Sequence, residues 1–170
     1  MEMEQEKAQS GRISTLEVLY AQHGPHILRY LQRFVGPKHA EDVLQDTFVQ
    51  ALWHFERLCD VSVPRAWLFR VARNLAMNVL RKNKMATNID LDGLIHSTSL
   101  EDSKLTTMRQ AIKKLPEKHR ETIMLRWYDQ LSYEEIAQVL NISIGTVRSR
   151  LHYALGQLRT QMEVELAVDP

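Results

Sequence analysis

Residues 143–153 combine small polar side chains with arginines, a set suited to contact with nucleic acid. Ser143 and Thr146 fall in the first turn of a predicted helix, where free backbone N–H groups and a partial positive charge attract phosphate. Arginine can also pair bidentately with guanine. With Val147 and Leu151 predicted to face the protein core, four polar side chains are left to point outward: Arg148, Ser149, Arg150 and His152.

A second polar face is predicted on a helix that opens at Pro64, a residue tolerated in a first helical turn. Its apolar stripe is expected to contain Trp67, Val71, Leu75 and Val79. Cationic side chains attract backbone phosphates, and amide side chains can hydrogen-bond an exposed base edge, so the opposite face suits a separated DNA strand. The side chains on that face are Arg70, Arg73, Asn74, Asn78 and Arg81.

Helices are predicted to position both faces. Apolar residues recur mostly three, four or seven positions apart before Gly36, again across 43–55, and again after Pro64. Further on, residues 132–135 form a capping box that starts a helix, and Ser143 is a strong N-cap residue that starts the next. Two helices joined by a turn of about three to four residues form a helix-turn-helix. No alternating run of β-branched residues occurs, so the predicted fold is all-α.

The segment 84–104 is predicted to be a linker. It has no helical or strand period and is rich in Asn, Asp, Gly, Ser and Thr. A structureless stretch of about 20 residues is uncommon inside one compact domain. We therefore predict two small helical domains, at 15–83 and 105–160, joined by a flexible linker and flanked by tails at 1–14 and 161–170.

The composition is that of an ordinary globular protein, with 44% hydrophobic and 25% charged residues. The net charge of +1 conceals two basic blocks: nine Lys and Arg stand against six Asp and Glu in residues 16–83, and nine against five in residues 105–160. So small an overall excess is weak for a protein that binds DNA alone, which indicates that DNA binding depends on a partner.

The same composition excludes several other classes. No apolar run approaches the ~18 residues of a membrane span, and the acidic N-terminus lacks the pattern of a signal peptide, so we expect a cytoplasmic protein without direct membrane insertion. A single cysteine, Cys59, excludes a disulfide framework and multi-cysteine zinc sites. No pair of histidines flanks a carboxylate at metal-ligand spacing, and no nucleophile motif or glycine-rich phosphate loop is present, so no metal, cofactor or enzymatic activity is expected.

Two blocks of the sequence resemble a known family. The sequence LSYEEIAQVLNISIGTVRSRLHYALGQLR at 131–159, preceded by LPEKHRETIMLR at 115–126, resembles region 4 of bacterial sigma factors of the extracytoplasmic-function type. AEDVLQDTFVQAL at 40–52 resembles region 2.2, and PRAWLFRVARNLAMNVLRKN at 64–83 resembles regions 2.3 and 2.4. A helix-turn-helix alone would be ambiguous, whereas two blocks in this order are much more specific. The resemblance covers roughly residues 15–160.

The resemblance implies a function and a set of partners. It implies a dissociable initiation subunit that binds core RNA polymerase, selects promoter DNA and is controlled by an anti-sigma factor. Residues 15–83 would dock on core polymerase and trap the −10 strand, and residues 105–160 would place a recognition helix in the major groove at −35. The main alternative is an autonomous helix-turn-helix regulator whose N-terminal helices dimerise or bind an effector.

The resemblance also implies roles for individual residues. Those implied to dock on core polymerase are Asp42, Gln45 and Asp46. Those implied at the −10 element are Asn74 and Asn78 near the base, Arg70, Arg73 and Arg81 at the backbone, and Asp60 and Ser62 in the loop 58–63 that would hold a flipped base. Those implied at the −35 element are Ser143, Thr146, Arg148, Ser149, Arg150, His152 and Tyr153.

Other interpretations of these residues stay open. Asp42 and Asp46 lie near a helix start, where acidic residues also serve capping and solubility. Any one arginine of the second polar face could instead form an ion pair within its own domain. Family members often carry Arg where Tyr153 stands, so this chain departs from the family pattern there. The tryptophans are predicted to be core residues: Trp53, Trp67 and Trp127.

Overall fold

The computed structural model describes the backbone of residues 2–60, 63–83 and 103–166, and all regular elements in these ranges are helices. The chain divides into two compact units, Met1–Asn88 and Ile89–Pro170. The described part of the first unit contains α1 Glu2–Val35, α2 Pro37–Trp53, α3 Phe55–Asp60 and α4 Pro64–Lys82. That of the second contains α5 Ser103–Lys114, α6 Glu117–Trp127, α7 Tyr133–Leu140 and α8 Ile144–Leu166. The predicted all-α fold is confirmed.

In the first unit, α1, α2 and α4 pack against one another around an apolar core. The side chain of Phe69 is fully buried, and the Tyr30 ring contacts both Phe69 and Phe34, at centroid distances of 5.6 and 5.4 Å. α1 ends at Gly36, whose φ of 80° is left-handed and suits a residue without a Cβ atom. Pro37 then starts α2, because its fixed φ matches a first helical turn.

The helices of the first unit extend beyond the predicted ones. The predicted tail 1–14 is helical from Glu2 onward, as part of α1. α3 is not predicted from the sequence, and it occupies the first part of the loop predicted at 58–63. The Arg12 side chain of α1 pairs with Glu56 and lies 5.8 Å from the Phe55 ring centroid. The N-terminal part of α1 therefore contacts α3 through the Arg12 side chain.

The buried stripe of α4 also differs from the predicted one. The predicted stripe, Trp67, Val71, Leu75 and Val79, is only half-buried. Three of the six buried residues are alanines, whose small side chains let α4 approach α1 and α2 closely, and the other three are large apolar residues. The buried residues are Ala66, Leu68, Phe69, Ala72, Ala76 and Leu80.

Two of the three tryptophans are wrongly predicted as core residues. Trp53, at the end of α2, is 74% exposed, and Trp127, at the end of α6, is also exposed. Trp67 is half-buried. Each exposed ring belongs to the last residue of its helix.

In the second unit, α8 packs on α5, α6 and α7. Its core contains the fully buried side chains of Leu125, Leu131, Ile136 and Val147. α8 continues to Leu166, past the predicted domain end at 160. Of the predicted linker, residues 84–102 lie outside the described residues, and so do residues 167–170 of the predicted C-terminal tail.

Within the described ranges, no helix combines the length and the apolar character needed to cross a bilayer. The same ranges contain no group of three His, Cys, Asp or Glu side chains that could hold a metal ion. Helix surfaces are the candidates for binding that these ranges offer.

Candidate nucleic-acid and protein interfaces

The face of α8 predicted to contact DNA lies at the surface of the second unit. Val147 and Leu151 are fully buried on the opposite side, as predicted. Ser143, immediately before α8, is exposed, and Thr146 is half-buried. The remaining predicted residues are exposed except for Arg150, which is half-buried: Arg148, Ser149, Arg150, His152 and Tyr153.

Side-chain hydroxyls hold the first turn of α8. Ser143 Oγ accepts a hydrogen bond from the backbone N–H of Thr146 at 3.1 Å and lies 2.9 Å from Thr146 Oγ1. Ser149 Oγ donates to the Thr146 carbonyl at 3.0 Å. Because the Ser143 hydroxyl satisfies a backbone donor that the helix itself cannot, the turn predicted to meet DNA is fixed within the protein.

The preceding helix, α7, is fixed at both ends. The predicted capping box is present: the Ser132 N–H donates to Glu135 Oε2 at 2.7 Å, and the Glu135 N–H donates to Ser132 Oγ at 3.1 Å. At the other end, Asn141 has a left-handed backbone, with φ of 53° and ψ of 51°. The next amide, Ile142 N–H, donates to the Ala137 carbonyl at 3.0 Å. These bonds define the short turn of the helix-turn-helix.

Glu134 of α7 is a neighbour of the face of α8 predicted to contact DNA, and it is not predicted from the sequence. The pKa of its carboxyl group is lowered, first by a hydrogen bond from its own backbone N–H, then by the Ser132 hydroxyl, and also by the Arg148 guanidinium. Glu134 therefore acts electrostatically on Arg148. Because the two residues lie on different helices, no helical spacing predicts that they approach each other.

On α4, most residues predicted at the −10 element form one exposed row. Arg70, Asn74, Asn78 and Arg81 are exposed and lie at intervals of four, four and three residues, which places them on one side of the helix. Arg73 is half-buried and already interacts within the protein. Arg81 donates a hydrogen bond to Asn78 Oδ1, which leaves the N–H₂ group of Asn78 available as a donor.

The loop predicted to hold a flipped base is described only in part. Its first residues belong to α3, which ends at Asp60. The Asp60 side chain and the whole of Ser62 lie outside the described residues. Their predicted role at the −10 element therefore stays a prediction.

The residues predicted to dock on polymerase form an exposed row on α2. Asp42, Gln45 and Asp46 are all exposed, and Val43 and Thr47 on the other side of the helix are buried. This arrangement gives α2 one side for the core and one polar side for solvent or a partner.

An open apolar groove of about 490 Å³ lies beside this row, between α1 and α2. The Tyr20 ring meets the Phe48 ring edge-on inside it, with the centroids 4.9 Å apart. Gln45 stands at its edge, so the groove and the polar row are continuous. The apolar residues that line it, here called the α1–α2 groove, are Ile13, Leu16, Tyr20, Phe48, Val49 and Leu52.

This groove is not predicted from the sequence. The apolar period across 43–55 includes Phe48 and Leu52 and predicts that they face the core, whereas Leu52 is exposed and Phe48 lines the groove. One signal in the sequence could have predicted the groove: Val49 is apolar but lies outside that period. In the structure, Val49 is 47% exposed. Patches of exposed apolar residues on a soluble protein mark interaction sites.

Comparison with known proteins assigns both units. A family model described as "Sigma-70 region 2" matches residues 19–85, and one described as "Sigma-70, region 4" matches residues 111–160. The ECF RNA polymerase sigma factor SigL of Mycobacterium tuberculosis is 34% identical, over 95% of this chain and 96% of SigL. The chain belongs to the ECF sigma factors. A second ECF sigma factor, SigW of Bacillus subtilis, is 32% identical over 80% of this chain and 82% of SigW.

Solved structures agree with this ECF sigma factor assignment. The chain resembles the sigma factor RpoE in its complex with the anti-sigma factor NepR from Bartonella quintana, with a TM-score of 0.65 and 26% identity over 91% of this chain and 98% of RpoE. It also resembles CnrH in complex with the cytosolic domain of CnrY, with a TM-score of 0.63 and 27% identity over 93% of this chain and 94% of CnrH.

Proposed function

We propose that this ECF sigma factor docks on core RNA polymerase through α2 and the α1–α2 groove, binds the −10 strand with α4 and reads the −35 element with α8. It acts in the cytoplasm and by binding alone, without catalysis. The observation that carries the proposal is the polar row of α2 lying next to an exposed apolar groove, a combination suited to docking a second protein.

The docking surface combines two kinds of contact. Burial of the α1–α2 groove by a partner helix removes apolar surface from water, which favours association by roughly 25 cal/mol per Å². The row Asp42, Gln45 and Asp46 at its edge adds negative charge, which selects a partner with basic side chains. The polymerase surface that binds here is therefore apolar at its centre and basic at its rim.

The two DNA-binding faces use different chemistry. The α4 row presents arginines and amide groups, which suit a single strand whose bases are exposed. The α8 face presents a capped first turn followed by arginines, which suits the major groove of a duplex. Polymerase fixes the separation of the two faces, so two weak contacts combine into tight promoter binding.

An anti-sigma factor controls access to polymerase by covering the α1–α2 groove. The structures of RpoE with NepR and of CnrH with CnrY support this part of the proposal, since both are similar to this chain and contain a bound protein. A partner that covers the groove blocks polymerase directly, because both would bury the same apolar residues.

Run-off transcription with purified core polymerase tests the proposed function. Templates that the reconstituted holoenzyme enriches from a random-sequence library should give a discrete transcript with the full chain and none with core alone. The absence of a promoter-specific transcript contradicts the proposal. A stable dimer that binds the same DNA without polymerase would instead support an autonomous helix-turn-helix regulator.

A further inference from the structure

His119 of α6 stacks on the DNA-binding helix. Its ring centroid lies 4.5 Å from that of Tyr153 on α8, with the two ring planes tilted by 38°. The His119 Nδ1 atom is buried and has no hydrogen-bond partner among the described residues. Tyr153 itself is 47% exposed, so one side of its ring rests on His119 and its edge reaches solvent.

Two basic side chains act on His119. The pKa of His119 is lowered, first by burial and then by the positive charges of Lys118 on its own helix and Arg150 on α8. Among the described residues, no carboxylate pairs with Lys118 or Arg150, and no titratable group of α7 acts on His119. Positive charges that gather without an anion are suited to receive one from outside.

The position on α8 indicates which anion this is. At about 100° per residue, Arg150 falls on one border of the exposed face of α8, and Tyr153 lies beside it, toward Ser149 at the centre of that face. A helix lying in the major groove has a phosphate backbone along each side, and phosphate contacts fix its register on the duplex. The border marked by Arg150, with Tyr153 beside it, therefore faces one of the two backbones.

We propose that Lys118, His119, Arg150 and Tyr153 form a phosphate-binding cluster at the junction of α6 and α8, in which Arg150 and the Tyr153 hydroxyl contact a backbone phosphate of the bound promoter and His119 positions the Tyr153 ring. The proposal rests on the proposed function of α8. It adds a group from α6 to the DNA interface and gives a role to the tyrosine at which this chain departs from the family pattern.

Proton uptake follows from this arrangement. A phosphate close to His119 favours the charged imidazolium, so DNA binding raises the pKa of His119 from its lowered value in the free protein. The bound complex then holds more protons than the free components near pH 6 to 7. By linkage, promoter affinity increases as the pH falls through this range.

The test measures promoter affinity of the holoenzyme by fluorescence anisotropy between pH 8 and pH 6, on a duplex selected in the transcription experiment. Wild-type affinity should rise about 3- to 10-fold over this range. His119→Gln should lose most of that rise, and His54→Gln, a change at an exposed histidine of the first unit, should keep it. An equal rise in His119→Gln and the wild type overturns the proposal.

Tyr153→Phe tests the hydroxyl separately. It should weaken binding about 3- to 10-fold at every pH and leave the base preference at −35 unchanged, because phosphate contacts carry no sequence information. Tyr128→Phe, at an exposed tyrosine of the same unit, is the control. Unchanged affinity of Tyr153→Phe overturns the phosphate contact. If Arg148→Ala alters −35 preference while both cluster variants behave as wild type, the function of α8 stands and this inference fails.

An NMR titration of the His119 ring in the full-length wild-type chain needs no variant. The −35 duplex is added until the amide signals of α8 stop shifting, so that even weak binding without polymerase is saturated, and the pKa should then be higher than without duplex. A rise with inorganic phosphate alone as well would support the same chemistry and identify the cluster as a general phosphate site. A pKa unchanged by either addition overturns the proposal.

Discussion

The two units of this sigma factor prepare their binding surfaces in opposite ways. In the first unit, the α1–α2 groove is open and lined by apolar side chains. The helices α2 and α4 of this unit begin without side-chain caps. In the second unit, Val147 and Leu151 are fully buried, the exposed side of α8 is largely polar, and hydroxyl groups cap both α7 and α8.

The difference matches the kind of partner. A protein partner supplies its own apolar side chains, so the first unit gains affinity by leaving apolar surface for that partner to bury. DNA offers charged phosphates and polar base edges, so the second unit gains more from fixing the ends of its helices in advance. The first unit leaves apolar side chains exposed in the α1–α2 groove, whereas the second exposes a largely polar face of α8 whose first turn is capped.

Val49→Asp in the groove tests this comparison with the largest expected effect. A carboxylate placed in an apolar contact loses its hydration without gaining a partner, so affinity for core polymerase should fall about 100-fold, or about 3 kcal/mol. The fold should be intact because Val49 is half exposed. Val18→Asp is the matched control, since Val18 is 54% exposed on α1 but does not line the groove.

Titration of labelled holoenzyme components measures this affinity directly. Equal losses for the Val49 and Val18 variants would mean that added negative charge, and not the groove, weakens binding. No loss for the Val49 variant would remove the groove from the docking surface.

Arg148→Ala tests the DNA side of the comparison. Loss of a bidentate contact with guanine costs about 1–3 kcal/mol, so transcription from a −35-dependent promoter should fall about 10- to 100-fold, with no change in core binding. Arg159→Ala, an exposed arginine three turns further along α8, should have little effect. A promoter whose −35 sequence is scrambled should respond to neither variant, and a loss there would show that Arg148 acts elsewhere.

Gly36→Ala and Gly156→Ala should change stability in opposite directions, one in each unit. Gly36 has φ of 80° and ψ of 160°, and an added Cβ atom meets no other atom within 4 Å, so the cost is backbone strain of about 1–3 kcal/mol. Gly156 lies within α8 with open space around it, so alanine there should stabilise the second unit by about 1 kcal/mol.

Hydrogen exchange of the full chain can assign each change to its unit. Faster exchange in α1 and α2 is expected for the Gly36 variant, and slower exchange in α8 for the Gly156 variant. A stable Gly36→Ala protein would mean that the break between α1 and α2 does not need a left-handed residue.

Local features of the sequence were sufficient to predict much of the second unit. The capping box at Ser132 and the N-cap Ser143 each depend on neighbours within four residues, and both are present. The outward face of α8 followed from its apolar period. Local signals fail where distant segments meet, as for His119 and Tyr153, which are brought together only by the packing of α6 on α8.

The first unit was harder to predict for the same physical reason. Which side of α2 is buried follows from its period. The exposure of Leu52, in contrast, depends on how α1 lies beside it. On α4, the period correctly separated apolar from polar residues, yet alanines such as Ala72 and Ala76 carry the close contact that the larger residues were predicted to make. Side-chain size decides which apolar residues face a neighbouring helix, and the neighbour is not visible in the local sequence.

Ser132→Ala tests the capped unit with the smallest expected effect. The change removes the hydroxyl that accepts from the Glu135 N–H, which should destabilise the second unit by about 1 kcal/mol and lower its melting temperature by about 4–8 °C. Ser14→Ala, at an exposed serine of α1, should change neither unit. Calorimetry of the full chain should show that only the transition of the second unit moves. If the transition of the first unit moves equally, the two units unfold together, and the contrast between a self-contained DNA-binding unit and a partner-dependent one would have to be abandoned.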